Sequence, residues 1–321
     1  MEHWLEQLSV TLQQTDSVVM ITVIAVDGSV PRHPGAKMLV SSSGQAGTIG
    51  GGHLEFKATQ LARDLLGGRT TAPVRRTYHL GPGLGQCCGG RVELLLEHIN
   101  QSNSPHRWSG VIAVRRAINT QVTKFEAVPA PDINSNRDNN VLALSQVGTE
   151  IFLTEQIRRP AQVWVFGAGH VGAAVVNQLS LLPCRVRLLD EREQSFAQTI
   201  ADGVEVCCCD SVVDEIADAP DDVCFVVMTH SHALDFELCL AMLQRPFAYL
   251  GLIGSASKRA AFEKRLSARG ISAARLGQLV CPIGSGNIQS KAPYAIAVSL
   301  AMQLMSLWNM AGNDQNNDKP L

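Results

Sequence analysis

The sequence predicts an α/β chain in two parts, an N-terminal α+β part followed by a doubly wound parallel sheet. Three features carry that reading. β-branched runs separated by glycine-rich turns fill the first third; a polar stretch, "PAPDINSNRDNN", follows; and from "RPAQVWVFGAGHVG" onward short apolar runs alternate with helical patterns, as strands and crossover helices do in a parallel sheet. A chain of 321 residues with 45% hydrophobic content is long enough to bury two cores. The implied divisions are an N-terminal domain over 1–130, a linker and connecting segment over 131–159, a second domain over 160–312 and a polar tail over 313–321.

In the first part, "MEHWLEQLSVTLQQ" sets Trp4, Leu5, Leu8 and Leu12 on one helical face with Glu2 and Glu6 among them, an amphipathic helix rather than a signal peptide. "SVVMITVIAV" and "AKMLVSS" read as two strands broken by the loop "DGSVPRHPG". "GTIGGGHLEFKATQLARDLLGG" turns through glycines into a helix with Leu54, Ala58, Leu61 and Leu65 at apolar spacing, closed by Gly67 and Gly68. Its N-terminus offers flexible backbone donors at Gly51 and Gly52 for an anion. Arg32 and Lys37, flanking "PRHPGAK", supply cations if that loop folds against the site.

"TTAPVRRTYHL" and "RVELLLEHI" are strands on either side of "GLGQCCGG", and "GVIAVRRAI" with "TKFEAVP" is a strand pair that completes the domain. Cys87 and Cys88 sit in that loop among Gly83, Gly85, Gly89 and Gly90. Glycines permit positive φ and a close backbone approach, whereas a core thiol sits among branched apolar residues. The pair is therefore a candidate for ligand contact. On extended backbone its two thiols would point to opposite faces.

In the second part, "VWVFGAGHVGAAVVNQL" places Gly167, Gly169 and Gly172 directly after an apolar strand and at the opening of a helix, and Asp190 ends the next strand, "RVRLLD". This is the dinucleotide fingerprint of a Rossmann-like fold: glycines for the tight turn, a helix N-terminus facing phosphate, and an acid about 20 residues on. His170 lies inside the fingerprint, where an imidazole can donate to a phosphate or cap the helix end. "DDVCFVVMTHSHALDF" ends a buried strand with His230 and His232 before a helix that begins near Asp235. Strand C-termini border the ligand crevice of such sheets, so these three residues are candidates for one ligand, with a metal-site fragment as a lesser alternative.

"AYLGLIGSASKRAAF" repeats the strand–glycine–helix design at Gly251, Gly254, Ser255 and Ser257, with Lys258 and Arg259 in the first turn. Cations there oppose the helix dipole unless an anion or acidic partner sits beside them. "CCCD", Cys207 to Asp210, lies at another strand end and reads as core, since adjacent cysteines chelate one ion poorly. A final strand, a Gly/Pro loop and a long apolar helix with Pro293 in its first turn close the domain.

Composition removes several function classes. A formal net charge of −2 gives no basic excess for nucleic acid or an anionic membrane surface, and no apolar run approaches the roughly 18 residues of a membrane span. Nine cysteines, an odd and clustered set without CxxC, argue against a disulfide framework and against a zinc knuckle. The expected compartment is the cytoplasm.

The segments "GSVPRHPGAKMLV", "GTIGGGHLE", "LGQCCGGRVEL", "FGAGHVG", "THSHALD", "GLIGS" and "CPIG", in that order along nearly the whole chain, resemble the XdhC/CoxI family of molybdenum-cofactor insertion chaperones. The resemblance implies a protein that binds molybdenum cofactor in its molybdopterin form, protects it during sulfuration by a cysteine desulfurase, and delivers it to the molybdenum-binding subunit of xanthine dehydrogenase. It implies cofactor contacts at Arg32, Lys37, Gly51, Gly52, His53, Glu55, Gln86, Cys87 and Cys88, with one of the two thiols at the metal, and further contacts at Gly167, Gly169, His170, Gly172, Asp190, His230, His232, Asp235, Gly254 and Ser255. Soft thiolates suit the metal–dithiolene end. A homodimer is also implied. One departure stands out: the family's turn commonly reads "THDHALD", and Ser231 replaces the middle acid here, which removes any cation-binding role of that acid.

Two other readings compete. The fingerprint with Asp190 suits a nicotinamide nucleotide, NAD(P), and hence an oxidoreductase, although no Tyr-x-x-x-Lys pair or hydride-accepting histidine with an orienting acid is visible. A thiol-based sulfur carrier or redox sensor would use Cys87 and Cys88 without a cofactor.

Overall fold

A computed structural model describes residues 4–68, 71–80, 89–104, 113–121, 123–128, 142–156, 160–193, 199–284, 288 and 290–310. Two compact units divide between Arg159 and Pro160.

The N-terminal unit opens with helix α1 (Trp4–Gln14), strands β1 (Ser17–Asp27), β2 (Lys37–Ser41) and β3 (Gly44–Gly47), and helix α2 (Gly52–Gly67). Strands β4 (Val74–His79), β5 (Arg91–Asn100), β6 (Ala113–Ala117), β7 (Phe125–Val128), β8 (Leu142–Val147) and β9 (Glu150–Gln156) follow. The first five strands form an antiparallel sheet in the order β3-β2-β1-β5-β4. The unbroken apolar run of β1 has a simple cause: both its faces are covered. Val19, Ile21 and Val23 pack with Leu54, Ala58 and Ala62 of α2, while Val18 and Met20 pack with Leu8 and Leu12 of α1.

The segment 131–159 is not only a connection, as the polar run suggested. β8 and β9 form a hairpin through Gly148 at φ 59°, and β9 pairs with β6 in a second antiparallel sheet, β7-β6-β9-β8. The signal was weak because most of β8 is exposed and its apolar and polar side chains do not alternate cleanly. The polar run "PAPDINSNRDNN" itself lies outside the described residues. Edge strand β3, "GQAG", was also hidden in the sequence, since a glycine-rich exposed strand lacks β-propensity.

A buried quartet of charges links the two sheets of this unit. Lys37 Nζ of β2 lies 2.6 Å from Glu155 Oε1 of β9, Arg116 Nη1 of β6 lies 3.1 Å from Glu155 Oε2, and Arg116 Nε lies 2.9 Å from Glu97 Oε1 of β5. None of the four side chains is more than 5% exposed. Two cations face two carboxylates, which is the condition for burying charge at all.

The second unit contains β10 (Ala161–Phe166), α3 (His170–Leu179), β11 (Cys184–Asp190), β12 (Glu205–Cys208), a 3₁₀ turn (Asp214–Asp218), β13 (Cys224–Val227) and α4 (His232–Met242). It continues through β14 (Tyr249–Leu252), α5 (Ala256–Ala268), α6 (Ala273–Leu276), β15 (Leu279–Val280) and α7 (Pro293–Met310). All six strands are parallel in the order β12-β11-β10-β13-β14-β15. That is the doubly wound Rossmann order, with its switch point between β10 and β13. α3 and α7 cover one face through Val176, Leu179, Leu300 and Leu304. α4, α5 and the 3₁₀ turn cover the other through Phe236, Met242, Phe262, Leu266 and Ile216. Pro293 is the first residue of α7, where its missing N–H costs no bond. Among the described residues no helix is long and apolar enough to cross a membrane.

Candidate functional site

In the N-terminal unit the backbone brings three glycine-rich segments together. A Cβ on Gly50 would meet the Pro31 side chain at 2.5 Å, so the "PRHPG" loop lies directly on "GTIGGG". A Cβ on Gly90 would collide with the Ser29 carbonyl and meet the Asp27 carbonyl at 2.9 Å, while one on Gly28 would meet Gly90 Cα at 3.2 Å. Leu80 N–H donates to Gly90 O at 2.7 Å, closing the base of the loop that carries the cysteine pair. Gly90 is thus needed for packing of backbone on backbone, not for ligand approach. Gly89 faces open space. Gln86, Cys87 and Cys88 lie outside the described residues.

The helix N-terminus at Gly51 and Gly52 does not present an empty anion slot. Glu55 Oε2 accepts from Thr48 Oγ1 at 2.6 Å, Gly51 N at 3.0 Å and Ile49 N at 3.1 Å, so a carboxylate of the chain itself fills the place expected for a ligand anion. Burial pushes this carboxyl up, but the hydrogen bonds from Thr48, Gly51 and Ile49 and the nearby Arg32 charge outweigh it and hold it below the usual range. Arg32 does fold against this turn, as the loop reading required. Lys37 does not: it is committed to Glu155 in the buried quartet, because β2 carries it inward between the sheets. Arg32, His33, Gly52, His53 and Gly89 remain exposed, and the His53 and Phe56 rings stack at 6.0 Å. Among the described residues, Asp27 and Ser29 likewise face solvent beside these glycine turns.

The glycine turn of the second unit has the fingerprint geometry. Gly167 adopts φ 114°, and a Cβ there would meet Met228 O at 2.5 Å, so the turn after β10 packs on the turn after β13. Gly172 lies against the Gly167 carbonyl so closely that no side chain fits. Gly169 caps α3, and His170 opens it; both are exposed.

Asp190, the acid of the fingerprint, is already engaged by the chain. It is 5% exposed; its Oδ2 accepts from Ala168 N at 2.8 Å, and Arg192 binds both oxygens, Nε to Oδ1 and Nη2 to Oδ2, each at 3.0 Å. Burial raises this carboxyl, and the bonds from Arg192 and Ala168 bring it below its ordinary value. Asp190 clamps the glycine turn from beneath.

His230, His232 and Asp235 do not converge. Both histidines are exposed, whereas Asp235 is fully buried. Asp235 Oδ1 accepts from Thr229 N at 3.1 Å and Thr229 Oγ1 at 2.7 Å, and its Oδ2 pairs with Lys258 Nζ at 2.6 Å. The helical turn carries Asp235 three positions beyond His232 onto the inner face of α4, which is why spacing on an extended segment misled. The same pair explains the cations at the start of α5: Lys258 has Asp235, and Arg259 has Glu263 at 2.7 Å. Ser231, in place of the family's acid, is the α4 N-cap and accepts from Leu234 N at 3.3 Å. Ser255 caps α5 in the same way. Gly254 and Ser255 also line a cavity of about 450 Å³ with Ile253, Pro282, Ile283 and Lys291, at the C-terminal ends of β14 and β15.

Burial pushes the Cys184 and Cys224 thiols up to about 11 and raises Cys281, in keeping with their packed surroundings.

The fold and its glycine turns define an α/β protein with a Rossmann-like unit, and comparison makes this specific. Residues 11–79 match the XdhC and CoxI family, and residues 163–304 match the XdhC Rossmann domain. The chain belongs to the XdhC and CoxI family. The cysteine pair falls between the two matched stretches. A Bacillus subtilis protein named as a probable subunit of xanthine dehydrogenase is 24% identical over 326 residues, 93% of this chain and 95% of that one. An uncharacterised protein of Escherichia coli, YqeB, is 23% identical over 93% of this chain, which spans a little under half, 45%, of that relative. A crystal structure described as a xanthine dehydrogenase from Bacillus halodurans superposes with a TM-score of 0.76 over 99% of this chain and 98% of that one at 22% identity, a likeness of fold.

Proposed function

We propose that the protein acts in maturation of xanthine dehydrogenase: it binds molybdenum cofactor as cargo, shields it while a cysteine desulfurase supplies sulfur, and passes it to the molybdenum-binding subunit. The observation that carries this reading is the joint presence, in chain order, of the XdhC and CoxI segment and the XdhC Rossmann domain. The relative named for xanthine dehydrogenase supports the choice of recipient. The exposed groups beside the N-terminal glycine turns suit such cargo chemically. Arg32 is a cation for a phosphate, and His33 and His53 offer hydrogen bonds to a polar pterin edge. Cys87 or Cys88 is the thiol proposed for the soft metal end.

The test is purification without oxygen from molybdenum-replete cells, followed by assay of bound molybdenum and of oxidised pterin fluorescence. Near-stoichiometric cofactor, lost in Cys87→Ala or Cys88→Ala, is the expected result. Cofactor-free wild-type protein that still supports full loading of the recipient enzyme would refute the carrier role.

A second reading, nucleotide binding at the glycine turn of the Rossmann-like unit, is favoured by the absence of room for any side chain at Gly172 and by the exposed N-terminus of α3. Arg192, already beside Asp190, is the group suited to an extra phosphate. Equilibrium dialysis with NAD and NADP, with and without Gly169→Asp, decides it: retention of either nucleotide that the variant abolishes supports this reading, and no retention removes it.

A further inference from the structure

The edge of the parallel sheet holds a cluster that none of the functional readings uses. Residues alternate on an extended strand, so it is Cys207 and Cys209, not adjacent cysteines, that come to one side at the end of β12. Their Sγ atoms and a carboxylate oxygen of Glu215, from the 3₁₀ turn that follows, all lie within 4.8 Å of one another. All three residues are half-buried, whereas Cys208, between the thiols, is exposed. The two thiols pack at the margin of the core on that face of the sheet.

We propose that Cys207, Cys209 and Glu215 bind a thiophilic divalent cation of the zinc class. Two sulfurs select soft or borderline ions over magnesium or calcium. Three protein ligands, with the fourth tetrahedral position left to water or an incoming group, make an open rather than a sealed structural site. The balance is simple: two S–H protons leave to solvent as two metal–sulfur bonds form, and the carboxylate supplies a third electron pair. Two thiolates and a carboxylate around a divalent ion leave one net negative charge, and a counter-charge is in place. Arg187, which Glu215 shares with Glu205, lies beside it: Nη1 holds Glu215 Oε2 at 3.0 Å and Nε holds Glu205 Oε1 at 2.9 Å, and the guanidinium lies 4.6 Å over the Trp164 ring. Such an outer partner fixes a ligand's orientation. The ion would tie the end of edge strand β12 to the 3₁₀ turn.

The experiment uses the full chain carrying Cys87→Ser and Cys88→Ser, so that any metal bound by the cargo site is excluded and the carrier reading and this one fail separately. Titration with cobalt(II) should give one equivalent of a tetrahedral, sulfur-ligated species with near-ultraviolet charge-transfer absorption, displaced by zinc. Cys207→Ser and Cys209→Ser should each abolish it, Glu215→Gln should weaken it by about tenfold or more, and Cys208→Ser should leave it intact. No charge-transfer band, or a band that survives Cys207→Ser and Cys209→Ser or depends on Cys208, overturns the proposal. Alkylation mapped by mass spectrometry needs no variant at these positions: zinc should protect Cys207 and Cys209 while Cys208 stays reactive, and equal labelling with and without zinc also overturns it.

Discussion

Glu55 shows how a single side chain decides what a glycine-rich turn can do. Its carboxylate takes the donor at Gly51, one of the two the sequence left open for an outside anion, together with those of Ile49 and Thr48. Glu55→Gln should destabilise the N-terminal unit by about 1–2 kcal/mol near neutral pH, read from urea midpoints, because charged acceptors make the stronger hydrogen bonds. The folded-state value is depressed, so the advantage of Glu55 over glutamine is complete above the ordinary glutamate value of about 4.3 and fades as pH falls through the lower folded value. Equal midpoint differences at neutral and strongly acid pH would show that the carboxylate charge is not the cause. A first-turn acid is legible in "GGGHLE", but its target is not, since Glu55 reaches back to Thr48 and Ile49 across a turn whose geometry only the fold supplies. Lys37 is the harder case. "PGAK" reads as a surface loop cation, and nothing local announces partners at Glu155, 118 residues away.

At the scale of elements, the parallel sheet was readable almost strand by strand, because each strand is a short apolar run and each turn is marked by glycine or by a capping serine. The same cues failed over β8 and β9, where a half-exposed hairpin follows a polar stretch; at "CCCD" the strand end and its packing on the core were legible, but three like residues in a row hide the alternation that brings the first and third to one side. The loop around the cysteine pair gives a paired test. Gly90→Ala should cost roughly 1–3 kcal/mol, since its new methyl group meets backbone of residues 27–29 that cannot rotate away. Gly89→Ala, with nothing within 4 Å, should be tolerated. Comparable thermal midpoints for the two variants would contradict the close packing of this loop base on the turn that follows "VIAV".

At the scale of the whole molecule, the largest unusual commitment among the described residues is the quartet of Lys37, Glu155, Arg116 and Glu97. Removing one member leaves an uncompensated buried charge, so Glu155→Ala should lose about 3–5 kcal/mol, measured by chemical denaturation. Lys37→Met combined with Glu155→Ala should lose less than the sum of the two single changes, because the second removes a charge that the first left stranded. Additive losses would mean that the two side chains act independently. Four strands contribute one charge each, so the quartet also rewards only one arrangement of the two N-terminal sheets. That arrangement is invisible to periodicity, which explains why the sequence marked the strand pair β6 and β7 but not the hairpin β8 and β9 that joins it in the second sheet.

The three internal carboxylates have a consequence for the empty protein. Glu55, Asp190 and Asp235 each plug the donors of a loop: Ile49 and Gly51, Ala168, and Thr229. Loops whose amides are already bonded keep their shape when nothing is bound, so loading has little ordering cost to meet and unloading leaves no collapsed form behind. Under the proposed carrier role, in which the protein alternates between full and empty, such preorganisation has a use. It should be visible in hydrogen exchange of the ligand-free chain, with the amides of Ile49, Gly51, Ala168 and Thr229 exchanging slowly despite their position in turns, and rapid exchange at all four would show that these loops wait for a ligand to shape them.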